Sequence, residues 1–352
     1  MSQGSLGLRD MGGLPMFMLA MLISGSLNTL LMKFMVMQKV PTGPGAQGVA
    51  FDHPYLCSLF MMLGELLCLG VYYVTNSREA DAVKEKSAPK HIFMIACLLD
   101  WTATTLVNMA YLMIAASVVQ MTRGAIVIFT CIFSVVFLGR RQYAHHIVGV
   151  FLVFVGITLV SLSTYFNPTA DASQGTSAAR SMMGISLCVG AQIFQASMLV
   201  YEEKIMAQYS VPPLQVVGLE GFFGTVFGLL LVCLLNFLHI ESTPEALYQV
   251  SHSTPLLISI VGSIFSIAVF NYSGISVTQK ASAVSRSTID VSRTVLIWMA
   301  EMFLGWNTFN PLQLVGFVIL ALGTLLYNRL LVVPALEPPP EVKGLLGDKM
   351  NV

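Results

Sequence analysis

Arg123, Asp290 and Arg293 are the residues of this chain best placed to do chemistry, because each interrupts a run that is otherwise apolar. Arg123 belongs to QMTRGAIVIFTCIFSVVFLGRR (residues 120–141), almost wholly apolar from Gly124 to Gly139 and closed by Arg140 and Arg141. A charge at the centre of a bilayer costs about 2.5–3.5 kcal/mol on insertion scales, so charges at that depth pair with one another or face a cavity. Arg293 lies about twelve residues from either end of its run, about 18 Å along a helix, too deep for its head group to reach an interface. Asp290, three residues earlier, is within pairing reach. Arg123 has no acid three or four residues away, so its partner comes from another segment or from a bound ligand. It is also nearer one surface, which leaves snorkelling open.

Other polar residues fall on single faces of the runs that carry them. Asp100, Thr104, Asn108 and Tyr111 line up on one helix face; so do Gln120, Arg123, Thr130 and Ser134, and Ser282, Arg286, Asp290 and Arg293. Ser26, Asn28, Thr29 and Lys33 add a fourth group, Gln192, Gln195 and Glu202 a fifth, and Ser263, Ser266 and Asn271 a sixth. Glu65 and Glu220 are single deep acids. A carboxyl buried without a partner is suited to carrying a proton, and equally to tying helices by hydrogen bonds. Asp290 with Arg293 has the same two readings, a ligand site or a neutralised pair that fixes its helix. Lys33, Glu202, Glu203 and Lys204 lie near run ends, where a gate would sit. Enzyme chemistry finds no support. The six histidines lie in loops or at run ends, the six cysteines lack CxxC spacing, and no HExxH, GxSxG or Walker sequence occurs, so neither catalytic residues, a metal nor a cofactor is expected.

The elements that position these residues are membrane spans. Of 352 residues, 55% are hydrophobic and only 10% charged, against roughly 25% charged in a soluble domain. The net charge of zero gives no basic footprint for nucleic acid. Runs of ~20 apolar residues predict ten spans, an all-α integral membrane protein: 14–37, 54–75, 91–111, 115–138, 143–163, 182–206, 213–237, 254–277, 281–304 and 311–332. The first is too long for a signal-peptide core and is expected to be retained. With a cytosolic N-terminus, twelve Lys and Arg residues, from Arg9 to Lys349, fall on the cytosolic side against Lys39 and Arg180 opposite. That bias predicts both termini in the cytosol.

The two halves match in order. VNMAYLMIAASVV (107–119) is like FNYSGISVTQKASAV (270–284), FLG recurs at 137–139 and 303–305, and Gly149 and Gly156 match Gly316 and Gly323. A duplicated unit of five spans must be inverted in its second copy, an arrangement that places a site between the halves near the midplane. The expected organisation is a tail at 1–13, repeats at 14–163 and 182–332, a luminal linker at 164–181 and a cytosolic tail at 333–352. A polar cavity is expected between spans 1, 3, 4, 6, 8 and 9. Spans 5 and 10, with glycine stripes for close packing, belong at the periphery, where a homodimer could form through them.

GSLNTLLMK (25–33), HPYL (53–56), LGE (63–65), LVYEEK (199–204), GLEGFFG (218–224), FNYSGISVT (270–278) and DVSRTVLIW (290–298), with the stretch from Gln120, resemble the F branch of the solute carrier 35 family in the drug/metabolite transporter superfamily. The likeness runs over most of residues 14–332. It implies the drug/metabolite transporter fold, ten helices in two inverted repeats, and alternating access to a central cavity for a small-molecule solute. The FYNN and GALNK motifs of GDP-mannose carriers are absent. Basic cavity residues suit an anionic solute; Asp100, Glu65 and Glu220 suit a cationic or zwitterionic one. The residues expected to line the site are Arg123, Asp290, Arg293, Asp100, Asn108, Asn271 and Asn28, with Glu65 and Glu220 for proton coupling. EVKGLL (341–346) fits an acidic dileucine signal through Glu341, Leu345 and Leu346, read by sorting adaptors. It points to a lysosomal, vacuolar or Golgi-derived membrane. A scaffold that keeps the fold without transport is the alternative function.

Overall fold

The computed structural model describes residues 13–43, 47–76, 89–114, 118–119, 122–138, 143–166, 178–209, 211–280, 283–306, 309–327 and 331–334. It is mostly helical. The long helices are α1 (Leu14–Met37), α2 (Pro54–Asn76), α3 (Phe93–Tyr111), α4 (Ile126–Leu138), α5 (Ala144–Phe166), α6 (Ala178–Gln208), α7 (Pro213–Phe237), α8 (Thr254–Lys280), α9 (Ala283–Phe303) and α10 (Pro311–Tyr327). Proline opens several of them: Pro54, Pro213 and Pro311 are first residues, and Pro15 and Pro255 second. Its fixed φ suits the first turn, where its missing N–H costs nothing. Asn310 caps α10, its Oδ1 accepting from the Leu312 amide at 3.0 Å and the Gln313 amide at 3.4 Å.

Among the described residues six helices are long and apolar enough to cross a membrane: Leu14–Met37, Pro54–Thr75, Lys90–Tyr111, Ala179–Met206, Pro213–Phe237 and Thr254–Lys280. Arg123–Phe137, Ala144–Val160 and Pro311–Tyr327 are apolar but shorter. The ninth expected span forms α9, whose Arg286, Asp290, Arg293 and Glu301 lower its hydropathy. The fourth span departs most from expectation. Arg123 is not inside a long helix but in a 3-10 turn, Arg123–Ala125, ahead of a short α4. A Cβ on Gly124 would lie 2.7 Å from the Leu320 side chain, so the turn is pressed onto α10.

The bundle is polar inside and apolar outside. Phe303, Leu230, Val136 and Phe151 are 92, 68, 66 and 63% exposed, while Glu65, Glu202, Glu220, Arg286 and Arg293 are buried. A water-soluble core reverses that order; here the outer face is matched to lipid.

The largest interfaces pair α5 with α10, α2 with α7, α1 with α8 and α3 with α6. Small residues set the closest approaches. A Cβ on Gly149 would lie 2.9 Å from the Gly323 oxygen, and one on Gly156 2.8 Å from the Gly316 oxygen, so α5 and α10 run antiparallel with backbones in contact. The two glycine stripes therefore meet within one chain and are not free for a second copy. Gly218, Gly221, Gly224 and Gly228 of α7 likewise abut Leu69, Leu66, Met62 and Leu59 of α2. Because backbone atoms of Gly316 and Leu320, with the Leu320 Cβ, face Gly156, Gly156→Leu is expected to lower stability by about 1–3 kcal/mol, measured by thermal melting of the purified protein.

Two of the connections between long helices carry structure of their own. Lys39–Pro41 and Gly48–Ala50 form an antiparallel hairpin with Val40 opposite Val49. A short helix, Thr243–Ser251, follows α7, with Pro in its first turn and Glu245 near its N-terminus. His53 Nδ1 lies 2.7 Å from Glu241 Oε1, Gln249 Nε2 donates to the Val40 carbonyl at 3.3 Å, and Phe51 and Ala246 are buried. The α1–α2 and α7–α8 connections thus form one folded cap. Gly139, Arg140, Arg141, Gln120, Ser282 and the dileucine residues Glu341, Leu345 and Leu346 lie outside the described residues.

Candidate functional site

A small cavity of about 70 Å³ lies among α2, α3, α6, α8, α9, α10 and the 3-10 turn. Its ionisable lining is Glu65 from α2, Asp100 from α3, Arg123 from the 3-10 turn, and Arg286 and Asp290 from α9. Thr104, Gln192, Gln195, Asn271 and Thr294 add neutral polar groups; Met61, Ile267, Phe270 and Leu320 supply apolar wall. Helical spacing explains the grouping: Asp100 and Thr104, and Arg286, Asp290 and Thr294, recur every four residues and so share a face.

Four of the seven residues expected to hold a ligand meet here: Arg123, Asp290, Asp100 and Asn271. Arg286 and Asp100 are electrostatic neighbours, Arg123 acts on the same carboxylate, and Gln195 hydrogen-bonds to it. Asn271 Nδ2 donates to Glu65 Oε1 at 2.6 Å, tying α8 to α2.

Arg293 stands one layer behind. It is 2% exposed, its Nε is 3.4 Å from Asp290 Oδ1, and its guanidinium lies 4.6 Å from the centre of the Phe270 ring. Neither Nε nor Nη2 makes a directed hydrogen bond among the described residues, so Asp290 neutralises it by proximity and the ring face carries the rest. Gly25 of α1 makes room for this stack, since a Cβ there would meet both the guanidinium and Phe270.

Asn108 and Asn28 are not on the lining. Asn108 Nδ2 donates to Ser58 Oγ at 3.0 Å, and Ser58 pairs with Thr105 at 2.9 Å, joining α3 to α2. Asn28 Oδ1 accepts from Ser263 Oγ at 2.8 Å and Ser266 Oγ at 3.1 Å, joining α1 to α8. With Asn28 spent on α8, α1 gives the cavity no lining residue among those described; α2, through Met61 and Glu65, takes the place expected for it.

The four residues read as gates separate. Lys33 is buried and its Nζ donates to the Tyr111 carbonyl at 3.3 Å and the Ile114 carbonyl at 3.2 Å, a cation at the C-terminal end of α3. Lys33→Met is expected to cost about 1.5–3 kcal/mol, read as a lower melting temperature. Glu202 is buried deep, its Oε2 3.3 Å from Arg286 Nη1. Glu203 is half-buried and Lys204 exposed. Glu220 is buried beside Glu202 and Glu65 at the α2–α7 crossing.

Arg286 lines the cavity although it was not among the residues expected to do so. Its signal was available, since it stands four residues before Asp290 on the charged face of α9. Gln192 and Gln195 were visible as polar residues of α6, but nothing in their spacing put them opposite Asp100.

Residues 15–331 match the model of the UAA transporter family. Solute carrier family 35 member F6 of Rattus norvegicus is 37% identical over 326 residues, covering 88% of this chain and 87% of its own. The Homo sapiens protein of that name is 36% identical with the same coverage. An uncharacterized protein of Schizosaccharomyces pombe is 32% identical over 333 residues, covering 90% of this chain and 98% of its own. A crystal structure of a protein 13% identical superposes with a TM-score of 0.56 over 90% of this chain and 98% of the other, a likeness of fold alone. The named relatives are solute carriers, not enzymes, and the match runs through every long helix described above. The chain is a multi-pass membrane protein that belongs to the UAA transporter family.

Proposed function

We propose that the chain is a secondary transporter or exchanger that moves a small polar metabolite across an endomembrane by alternating access, coupled to protons through Glu65 and Glu220. The observation that carries this is the cavity itself: three acids and two arginines converge at the centre of a bundle whose outside is apolar. Arg123, Asp290, Arg293, Asp100 and Asn271 are the proposed ligand residues. Asn28 and Asn108 join this set only as the ties that hold α1 and α3 in place.

Helix packing supports two inverted five-helix repeats, residues 14–163 and 182–332, within ten membrane helices. An equivalence that carries α1–α5 onto α6–α10 turns the α1–α8 interface into the α6–α3 interface and α4–α6 into α9–α1. It returns α2–α7 and α5–α10 each to itself, and all of these interfaces occur. The same equivalence turns the Gly149–Gly323 contact into the Gly316–Gly156 contact, which also occurs. Antiparallel crossing of equivalent helices is what a two-fold axis in the membrane plane requires. Cytosolic termini rest on the Lys and Arg bias, and the endomembrane address on Glu341, Leu345 and Leu346.

The test is counterflow in liposomes carrying the purified protein, with pools of amino acids, peptides and nucleotide sugars, comparing wild type with Arg123→Ala and checking both by thermal melting. Exchange above protein-free liposomes that falls at least tenfold in folded Arg123→Ala is the expected result. A folded wild type that exchanges none of the pools overturns the reading in favour of a non-transporting scaffold.

A further inference from the structure

The charges in and around the cavity do not balance. Glu65, Asp100 and Asp290 lie on its lining. Two further carboxylates stand directly behind it: Glu202 on Arg286, and Glu220, which interacts with Glu202, Glu65 and Asp100. Against these five acids are three cations, Arg123 and Arg286 on the lining and Arg293 beside Asp290. The other buried charges of α1–α10 among the described residues, Lys33 and Glu301, are one of each sign and leave the difference unchanged. With every group ionised the site carries two negative charges in excess.

Two of these carboxylates are out of reach of bulk water. Glu202 and Glu220 are 3 and 4% exposed, and Oε1 of each has no hydrogen-bond partner among the described residues. An uncompensated buried charge costs several kcal/mol, and such sites reach neutrality by taking up a counter-charge. Protons supply it while the cavity is empty; a positively charged solute supplies it when bound. An anionic solute deepens the imbalance and has to bring more protons with it.

The walls agree with the charge. Among the described lining residues Phe270 is the sole aromatic, and the Arg293 guanidinium occupies its face. No ring is left as a stacking platform for a nucleotide base. Arg286, a natural ligand for a phosphate, is already committed to Glu202.

We propose that the cavity takes an organic cation, an amine- or guanidinium-bearing metabolite, in exchange for protons. The proposal rests on the transport reading above and names its substrate class. The exchange is balanced without covalent chemistry: a dication entering releases two protons from the carboxylates to solution, and a monocation releases one.

The experiment uses the full chain in liposomes, with putrescine, agmatine and choline as one pool and UDP-N-acetylglucosamine and neutral amino acids as two others. The expected result is cation counterflow at least tenfold above protein-free liposomes, accumulation of the cation driven by an acidic interior, and alkalinisation of that interior as it enters. Glu220→Gln, checked for folding by thermal melting, is expected to lose at least tenfold of the pH-driven accumulation. Exchange of the nucleotide sugar or of neutral amino acids without any of the three cations overturns the substrate class while leaving transport standing. Cation exchange indifferent to the pH gradient overturns the proton exchange. No exchange of any pool by the folded protein overturns both this proposal and the transport reading.

Discussion

Arg286→Ala is expected to cost about 3–5 kcal/mol of stability and to abolish solute exchange. The stability loss follows from what the substitution leaves behind. Glu202 is buried with Arg286 as its ion-pair partner at 3.3 Å, and Glu65, Asp100 and Glu220 also feel the guanidinium. Removing one side of a buried pair strands the other in a medium that solvates it poorly. Glu202→Gln in the same chain should return part of the loss, a coupling of about 1–3 kcal/mol, because the stranded charge is gone. Exchange should not return with it, since Asp100 still lacks the arginine that stands beside it. Thermal melting of the four chains of the double-mutant cycle, with counterflow on each folded one, separates the two effects. Equal melting temperatures for wild type and Arg286→Ala would mean that Arg286 is solvated and that the pair with Glu202 contributes nothing.

Gly221→Leu is expected to prevent stable folding, with a loss at or above about 3 kcal/mol, the upper end of overpacking costs. A Cβ on Gly221 would press on the Leu66 amide and lie 2.5 Å from the Glu65 carbonyl carbon, so the obstacle is main chain and no rotamer relieves it. On its opposite side α2 is held equally close: a Cβ on Gly64 would meet the Ile264 carbonyl of α8. Moving α2 off α7 therefore drives it into α8, and Glu65 and Glu220 are carried apart with the helices. Gly190→Ala on α6, where a Cβ meets nothing within 4 Å, is the control and should gain about 0.5–1 kcal/mol. Both are read by thermal melting in one detergent. A Gly221→Leu protein that melts with wild type would show that α2 and α7 can separate freely.

Most of the helices were legible because a bilayer forces long apolar runs, and the order of Asn, FLG and Gly in the two halves was legible because side-chain type survives along each helix. Depth was legible too: Arg293 is buried, as its distance from both helix ends required. Partnership was not. Asn28 and Asn108 carry the same side chain as Asn271, yet the first two bond to serines on neighbouring helices and only the third faces the cavity. Spacing gives the face of a helix but not its rotation against its neighbours, and that rotation decides between a tie and a ligand. Glu202 illustrates the second limit. Counted from the end of its helix it looked superficial, but α6 extends to Gln208 and the cap-free end stands further out. The turn at Arg123–Ala125 was hidden as well, and its packing partner Leu320 lies far along the chain.

The crossing of α5 and α10 has an evolutionary consequence. Gly149, Gly156, Gly316 and Gly323 form two reciprocal contacts, and each has a glycine carbonyl of the other helix opposite it, with a neighbouring side chain beside that carbonyl. Enlargement at any one of them has no intermediate size to pass through, and a compensating change across the contact does not exist, because there is nothing smaller than glycine to retreat to. One helical turn away, Ile147, Phe151 and Phe154 face outward and need only remain apolar. Descendants of this sequence are therefore expected to drift freely among large apolar residues along one edge of α5 while its other edge stays frozen, a contrast between adjacent residues that comparison of diverged sequences would expose directly.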